Sequence, residues 1–343
     1  MKALVLSAYN QFDYRDVPEP ACGPDDVLVE VRACGICGSD IHGMDGSTGR
    51  RLPPIIMGHE AAGVIARVGA NVADLKPGER VTFDSMISCG GCFFCRRGEI
   101  NLCDRRRVLG VACQEFRQEG AFAQFVAVPQ HIVYRLPDGL SFERAAMVEP
   151  LSVAFHAVAR LGVQLGDTAV AIGAGMIGLL CIQTLRATGC GRIIAVDVDR
   201  ARLDLACRLG ADEAVSAKEA DAAAEILRRT DGRGADLAVE AVGVPATLAT
   251  AVKAVRKGGR VALVGNLTPQ VELPLQAVVT RELTLFGSCA SAGEYPACLD
   301  AIARGAIDVD ALTSAVVPLA EGAAWFHRLH KGGEGLMKVI LVP

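Results

Sequence analysis

The chain has 343 residues, 51% of them hydrophobic and 22% charged, with a formal net charge of −4, a length and balance that exclude a single small core and suggest about two ordinary globular domains. Lys and Arg are spread along the chain and outnumbered by Asp and Glu, so there is no basic face for nucleic acid. No run is long enough to span a bilayer, and the start, MKALVLSAYNQFDYRDVPEP, lacks the apolar stretch and cleavage site of a signal peptide.

In chain order, the first third reads as β-structure. KALVL, DVLVEVRAC and AAGVIARVG each place β-branched residues at alternating positions between Gly, Pro, Asn or Asp, and short strands with many turns point to a barrel. From about Leu161 the texture changes. The apolar run DTAVAIGAG, the helical stretch MIGLLCIQTLRATG and the apolar run RIIAVD make a βαβ unit. ADLAVEAVG, the helical PATLATAVKAV, GRVALVG and ELTLFGS continue the alternation, which predicts an α/β fold with a parallel sheet covered on both faces. A helical EYPACLDAIARG and a strand-like MKVILVP follow, and texture places the domain boundary between Glu149 and Val163. Thirteen cysteines, an odd number spread through predicted core segments, fit a reducing cytosol better than a disulfide framework and predict a cytoplasmic protein.

Two stretches carry metal-ligand residue types. CGICGSDIH, from Cys34 to His42, and GHE, from Gly58 to Glu60, supply Cys37, His59 and a carboxylate, a set of three that leaves a catalytic zinc one position for water or substrate. Glu60 and Glu149, the latter in MVEPLSV, compete for the carboxylate role. Taken singly, Cys37 reads as a buried small hydrophobe, His59 as a core histidine and Glu149 as a helix-start acid. Two further motifs tip the balance toward metal. In CGGCFFCRRGEINLC, Cys89, Cys92, Cys95 and Cys103 stand as C-x2-C-x2-C-x7-C, a spacing that surrounds one tetrahedral zinc with four thiolates and leaves no vacancy, hence a structural site. Two disulfides compete, but cysteines this close would need strained pairings.

The second motif is Gly173, Gly175 and Gly178 in AVAIGAGMIGLL, a G-x-G-x-x-G directly after an apolar strand and opening a helix. Such glycines permit a tight turn and close approach to a pyrophosphate, which meets the helix N-terminus. Asp197 ends the next apolar run 19 residues after Gly178, where a ribose-binding acid belongs. A 2′-phosphate beside it would meet a like charge at a cost of roughly 4 kcal/mol at about 4 Å and an effective dielectric near 20, so NAD is favoured over NADP. The competing role for Asp197, capping a helix, can be filled by Asp199.

In this order and at these spacings the motifs resemble the zinc-dependent alcohol and polyol dehydrogenases of the medium-chain dehydrogenase/reductase family, over essentially the whole chain. The resemblance implies a GroES-like β-barrel catalytic domain over residues 1–150, with 290–343 returning to it, a Rossmann NAD-binding domain over 151–289, and an active site in the cleft between them. It implies Cys37, His59 and Glu60 as catalytic zinc ligands, with Glu149 a ligand or a holder of the zinc-bound water. Glutamate rather than cysteine at 149 looks like the polyol, sorbitol-type branch. Ser39 and His42 match the proton relay, through the nicotinamide ribose to solvent, and Asp40 matches the acid that orients the zinc histidine. Further coenzyme contacts are implied at Met176, Ile177, Arg202, Val242, Val264 and Gly265. Two positions depart from a sorbitol pocket: Ala290 stands where that group has an arginine, and Gly43 where it has a tyrosine.

The expected activity is NAD-dependent interconversion of a secondary alcohol of a polyol, sugar or related compound with its ketone, with one catalytic and one structural zinc per chain. A sugar-phosphate (galactitol-phosphate type) or threonine-type dehydrogenase would use the same chemistry. The runs Arg50–Arg51 and Arg105–Arg107 read as solvated surface rather than phosphate contacts. A non-catalytic NAD-binding scaffold would show a missing ligand or relay residue, and Cys37, His59, Glu60, Ser39 and His42 are all present. The expected partners are a small-molecule alcohol or ketone and further copies of the chain, as a dimer or tetramer, since an unpaired sheet edge is a liability. Gln114 and Phe116, in GVACQEFRQEG, are candidates to reach the substrate.

Overall fold

The computed structural model describes residues 1–113 and 116–343, and of Cys113 and Phe116 the backbone. The expectations for Gln114 and for the Phe116 side chain lie outside the described residues. The chain divides into two compact units: Met1–Glu149 with Tyr295–Ala303 and Val309–Pro343, and Pro150–Glu294 with Arg304–Asp308. Among the described residues no helix is long and apolar enough to cross a membrane.

The first unit is organised around the ten-residue strand Asp26–Gly35. Val27, Val29 and Val31 alternate into a core that also holds Ile65, Val81, Phe83 and Phe122, and Arg32 is the only residue of the strand left exposed. The strand pairs antiparallel with Glu60–Val68, with Phe125–Pro129 and with Lys338–Val342. The strand Thr313–Pro318 then adds in parallel beside Lys338–Val342. The register sets Gly35 directly against Glu60, while Lys338–Val342 pairs with the same end of Asp26–Gly35. Residues from three distant parts of the chain thus converge on one end of the sheet.

The second unit is a six-stranded, all-parallel sheet in the order Glu213–Ser216, Arg192–Asp197, Thr168–Ile172, Ala235–Glu240, Val255–Leu263, Thr284–Gly287. Numbered along the chain this is 3-2-1-4-5-6, the doubly wound order, with its switch point between Thr168–Ile172 and Ala235–Glu240. The central strands are buried along their length, which explains their continuous rather than alternating apolar runs.

Candidate metal centres and coenzyme site

Cys37 caps the single helical turn Gly38–Ile41, and its backbone N–H donates to Asp40 Oδ2 at 3.4 Å. His59 and Glu60 lie where the chain enters the strand Glu60–Val68, immediately after Gly58, whose φ of 95° suits glycine. One ligand atom each from Cys37, His59 and Glu60 lies within 4.8 Å of the others. Glu149, on the helix Val148–Leu161, stands outside that trio, and its Oε1 accepts from Ser85 Oγ at 2.9 Å.

The charges around the trio are arranged for a cation. Asp40 Oδ1 lies 3.5 Å from His59 Nδ1 and 2.8 Å from Arg51 Nη2. Burial pushes the Asp40 carboxyl up, but the His59 and Arg51 charges hold it well below the usual carboxylate range. Burial likewise opposes charging His59, yet Asp40 and Cys37 raise its pKa well above normal, so this pocket draws positive charge to its centre. Glu60 Oε2 is paired with the buried Lys338 ammonium, which also donates to Ile36 O at 3.0 Å. Glu60 Oε1 is buried and finds no hydrogen-bond partner among the described residues. A thiolate, an imidazole and a carboxylate with an unused buried oxygen are the donor set zinc takes, so the residues fit the ion the sequence predicts. Ser39 and His42, three apart on the same turn, are exposed.

The four-cysteine lobe is equally well formed. The sulfurs of Cys89, Cys92, Cys95 and Cys103 lie within 4.8 Å of one another, and all four are free thiols rather than disulfides. The backbone N–H of Gly91 leads the effects that pull the Cys89 thiol down to about 6, and backbone N–H groups also lower Cys92, whereas burial raises Cys103 to about 11. The lowered Cys89 and Cys92 suit thiolate ligation in a closed tetrahedral site. The Arg105–Arg107 run belongs to this lobe: Arg105 donates to Cys89 Sγ at 3.5 Å and Arg106 to Asn101 O at 2.7 Å.

In the second unit, Gly173 (φ 92°) turns the chain out of the strand Thr168–Ile172, and a Cβ at Gly178 would collide with Gly173 O, so both glycines are dictated by packing. Gly175 is different. It is the N-cap of Met176–Ala187, where a Cβ would meet no atom within 4 Å, which fits close approach of a phosphate to Met176 and Ile177 at the helix start. Asp197 Oδ2 accepts from Ala174 N at 2.6 Å and Oδ1 from Asp199 N at 2.9 Å, so the acid is built into the glycine turn. Asp199 caps the helix Arg200–Arg208 by accepting from Ala201 N and Arg202 N, the capping role considered for Asp197. Across the switch point, Glu240 organises the other candidate contacts: its Oε1 accepts from Val242 N at 2.9 Å, and its carbonyl accepts from Val264 N and Gly265 N.

Three residues with a part in the first site escaped sequence reasoning: Lys338, Arg51 and Ser85. Lys338 left one signal, a lone charge in the apolar strand Lys338–Val342. Arg51, which the run Arg50–Arg51 predicts to be solvated surface, is instead buried, 3% exposed, because its guanidinium is drawn onto Asp40.

Comparison with known proteins identifies the family. Residues 23–138 match the family model for the alcohol dehydrogenase GroES-like domain and residues 177–304 that for zinc-binding dehydrogenase. The chain is 36% identical over 348 residues to a sorbitol dehydrogenase of Bacillus subtilis, covering 100% of this chain and 97% of that protein. It is 34% identical to D-xylulose reductase A of Aspergillus oryzae, covering 98% and 96%. Among solved structures, an inferred zinc-binding dehydrogenase from Sinorhizobium meliloti 1021 bound to NADP is 32% identical, with a TM-score of 0.93 over 100% of this chain and 99% of that one.

Proposed function

Because the chain belongs to the zinc-dependent medium-chain dehydrogenase/reductase family, in its polyol dehydrogenase branch, we propose that it interconverts a secondary alcohol of a polyol, sugar or related hydroxy compound with its ketone through the site at Cys37, His59 and Glu60. The protein is an oxidoreductase, a polyol or alcohol dehydrogenase using zinc and a nicotinamide coenzyme. The observation that carries the site assignment is the convergence of a thiol, an imidazole and a carboxylate within 4.8 Å, with Glu60 Oε1 buried and unpartnered.

Cys37, His59 and Glu60 would hold the zinc, which would supply polarisation of the alcohol oxygen, and the nicotinamide coenzyme would supply the hydride acceptor. The chain's own residues do the rest. Asp40 beside His59 Nδ1 favours a proton on that nitrogen and leaves the other for the metal. Ser39 Oγ takes the substrate proton, and the exposed His42 ring releases it to solvent. Glu149, fixed by Ser85, stands beside the trio as a holder of water or as an occasional ligand. Cys89, Cys92, Cys95 and Cys103 hold a second, structural zinc.

The second unit binds the coenzyme through Gly173, Gly175, Met176, Ile177 and Gly178, with Asp197 and Arg202 at the adenosine ribose and Val242, Val264 and Gly265 across the switch point. Asp197 favours NAD over NADP by charge. The relatives' names support a polyol, while Ala290 and Gly43 argue for a pocket other than that of sorbitol-type enzymes. The exposed Leu267, Leu275 and Val279, ahead of the edge strand Thr284–Gly287, support a homo-oligomer. Free described cysteines support a cytoplasmic setting. The test is NADH formation across polyols, sugars, sugar phosphates, cyclitols and hydroxy amino acids, with zinc assayed on the same sample. Turnover on a secondary alcohol with two zincs per chain is expected, and two bound zincs without turnover on any class would sink the reading.

A further inference from the structure

Arg51 is 3% exposed, and its Nη2 donates to Asp40 Oδ1 at 2.8 Å and to Ser39 Oγ at 3.3 Å. The same Asp40 oxygen lies 3.5 Å from His59 Nδ1. One guanidinium nitrogen therefore joins the hydroxyl of the proton relay to the acid that backs the metal histidine. We propose that Arg51 is a positioning residue for the dehydrogenase reaction, setting the direction in which Ser39 moves its proton and fixing Asp40 against His59; this rests on the reading of Ser39 as relay and His59 as ligand.

The argument for direction comes from hydrogen-bond inventory. A serine hydroxyl has one proton and two acceptor lone pairs, and a guanidinium donates only. The Ser39 hydrogen cannot point at Arg51, so it is offered elsewhere, and one lone pair remains to receive a proton. An arginine in this place leaves Ser39 oriented to accept and pass on, whereas a neutral amide could bond it either way round. The second half of the clamp works through Asp40. A carboxylate held by a charge-assisted bond at 2.8 Å has little freedom to swing, which keeps its charge 3.5 Å from His59 Nδ1, a nitrogen with no hydrogen-bond partner among the described residues.

The chain is shaped for Arg51 to lie there. A Cβ at Gly43 would come within 2.5 Å of Arg51 Cγ and 3.0 Å of Ser39 O, so the glycine after His42 makes the room that the arginine stem fills. Arg51 Nε, buried and without a hydrogen-bond partner among the described residues, shows that the guanidinium is placed by its Nη2 contacts and not by general satisfaction of its donors.

Arg51→Met tests this, with Arg51→Lys and Gly43→Ala beside it. Arg51→Met is expected to fold, to keep KM for the alcohol within about twofold and to lose kcat by about tenfold, the low end of what losing a direct partner of a metal ligand costs, since Arg51 acts on His59 through Asp40. Its cobalt-loaded form should give up the metal to a chelator about tenfold faster and show a displaced cobalt absorption band. Lysine, which keeps the charge but not the fork, should recover part of kcat, and Gly43→Ala, by displacing the stem, should fall on the same side as the methionine variant. Wild-type kcat and metal release in Arg51→Met would overturn the proposal. Should Arg51→Met fail to fold, wild-type kcat and metal release in both Arg51→Lys and Gly43→Ala would do the same. If the unaltered protein oxidises no alcohol, the functional reading fails, and the release rates then decide the clamp on Asp40 without it.

Discussion

At the scale of the residue, the first site is a balance of buried charges. Cys37→Ser should lower zinc from about two to about one per chain and turnover by at least about a thousandfold, since a metal's polarisation is worth several kcal/mol; metal analysis and steady-state rates check both. Lys338→Met removes the one side-chain partner of the Glu60 carboxylate among the described residues, where that carboxylate is 0% exposed, and should cost about 3–5 kcal/mol in urea unfolding of the metal-free protein. Equal stability would mean the pair compensates nothing. Asp197→Ala should relax the preference for NAD over NADP by about 30-fold in Kd, half of the like-charge penalty surviving relaxation. Which residues were legible in advance follows from how their chemistry is encoded. Cys37, His59 and Glu60 could be singled out because thiol, imidazole and carboxylate sit in short stretches whose bland readings give way once the four-cysteine lobe and the glycine motif are read with them. Lys338 and Arg51 do not, since a lysine 278 positions from Glu60 carries no spacing to read, and Arg51 follows Arg50 in a run that looks solvated.

At the scale of the element, long apolar strands were legible and short polar ones were not. Thr168–Ile172, Arg192–Asp197 and Ala235–Glu240 sit at predicted places because burial on both faces forces continuous Val, Ile, Leu and Ala. Glu213–Ser216 escaped, being a four-residue edge strand with a glutamate and a serine, as did the amphipathic helix Ala222–Arg229, whose eight residues span little more than two turns. The sheet also shows how one carboxylate can tie elements together. Asp236, at the start of Ala235–Glu240, accepts from Thr168 N at 2.9 Å, Arg256 Nε at 2.6 Å and Arg233 Nη2 at 3.0 Å. Burial pushes its carboxyl up, but Arg256, the Thr168 amide and Arg233 prevail and hold it below its ordinary 3.8. A pKa lowered by folding gives stability that is present above about pH 4 and is lost as pH falls through the folded value. Asp236→Asn should therefore cost about 1–3 kcal/mol near neutrality and converge on the wild type in strong acid; thermal unfolding across pH checks both the size and the sign.

At the scale of the whole molecule, the order of motifs along the chain was enough to read a β unit interrupted by a doubly wound one, while assembly had only edge exposure to speak for it. Val279→Glu, at a side chain 65% exposed on Leu275–Thr280, should lower the mass seen by light scattering if copies meet through that face, and an unchanged mass would remove it from the interface. The strand Lys338–Val342 has a further consequence, which concerns synthesis. Translation delivers Cys89 to Cys103 early, within one short stretch, so the thiolate lobe can take its metal on the ribosome. Glu60 is made earlier still, yet its counter-ion emerges 278 residues later, at about 5–20 residues per second. Zinc loading is therefore expected to follow that order, the four-cysteine lobe first and the Cys37, His59 and Glu60 site once Lys338 has paired with Glu60.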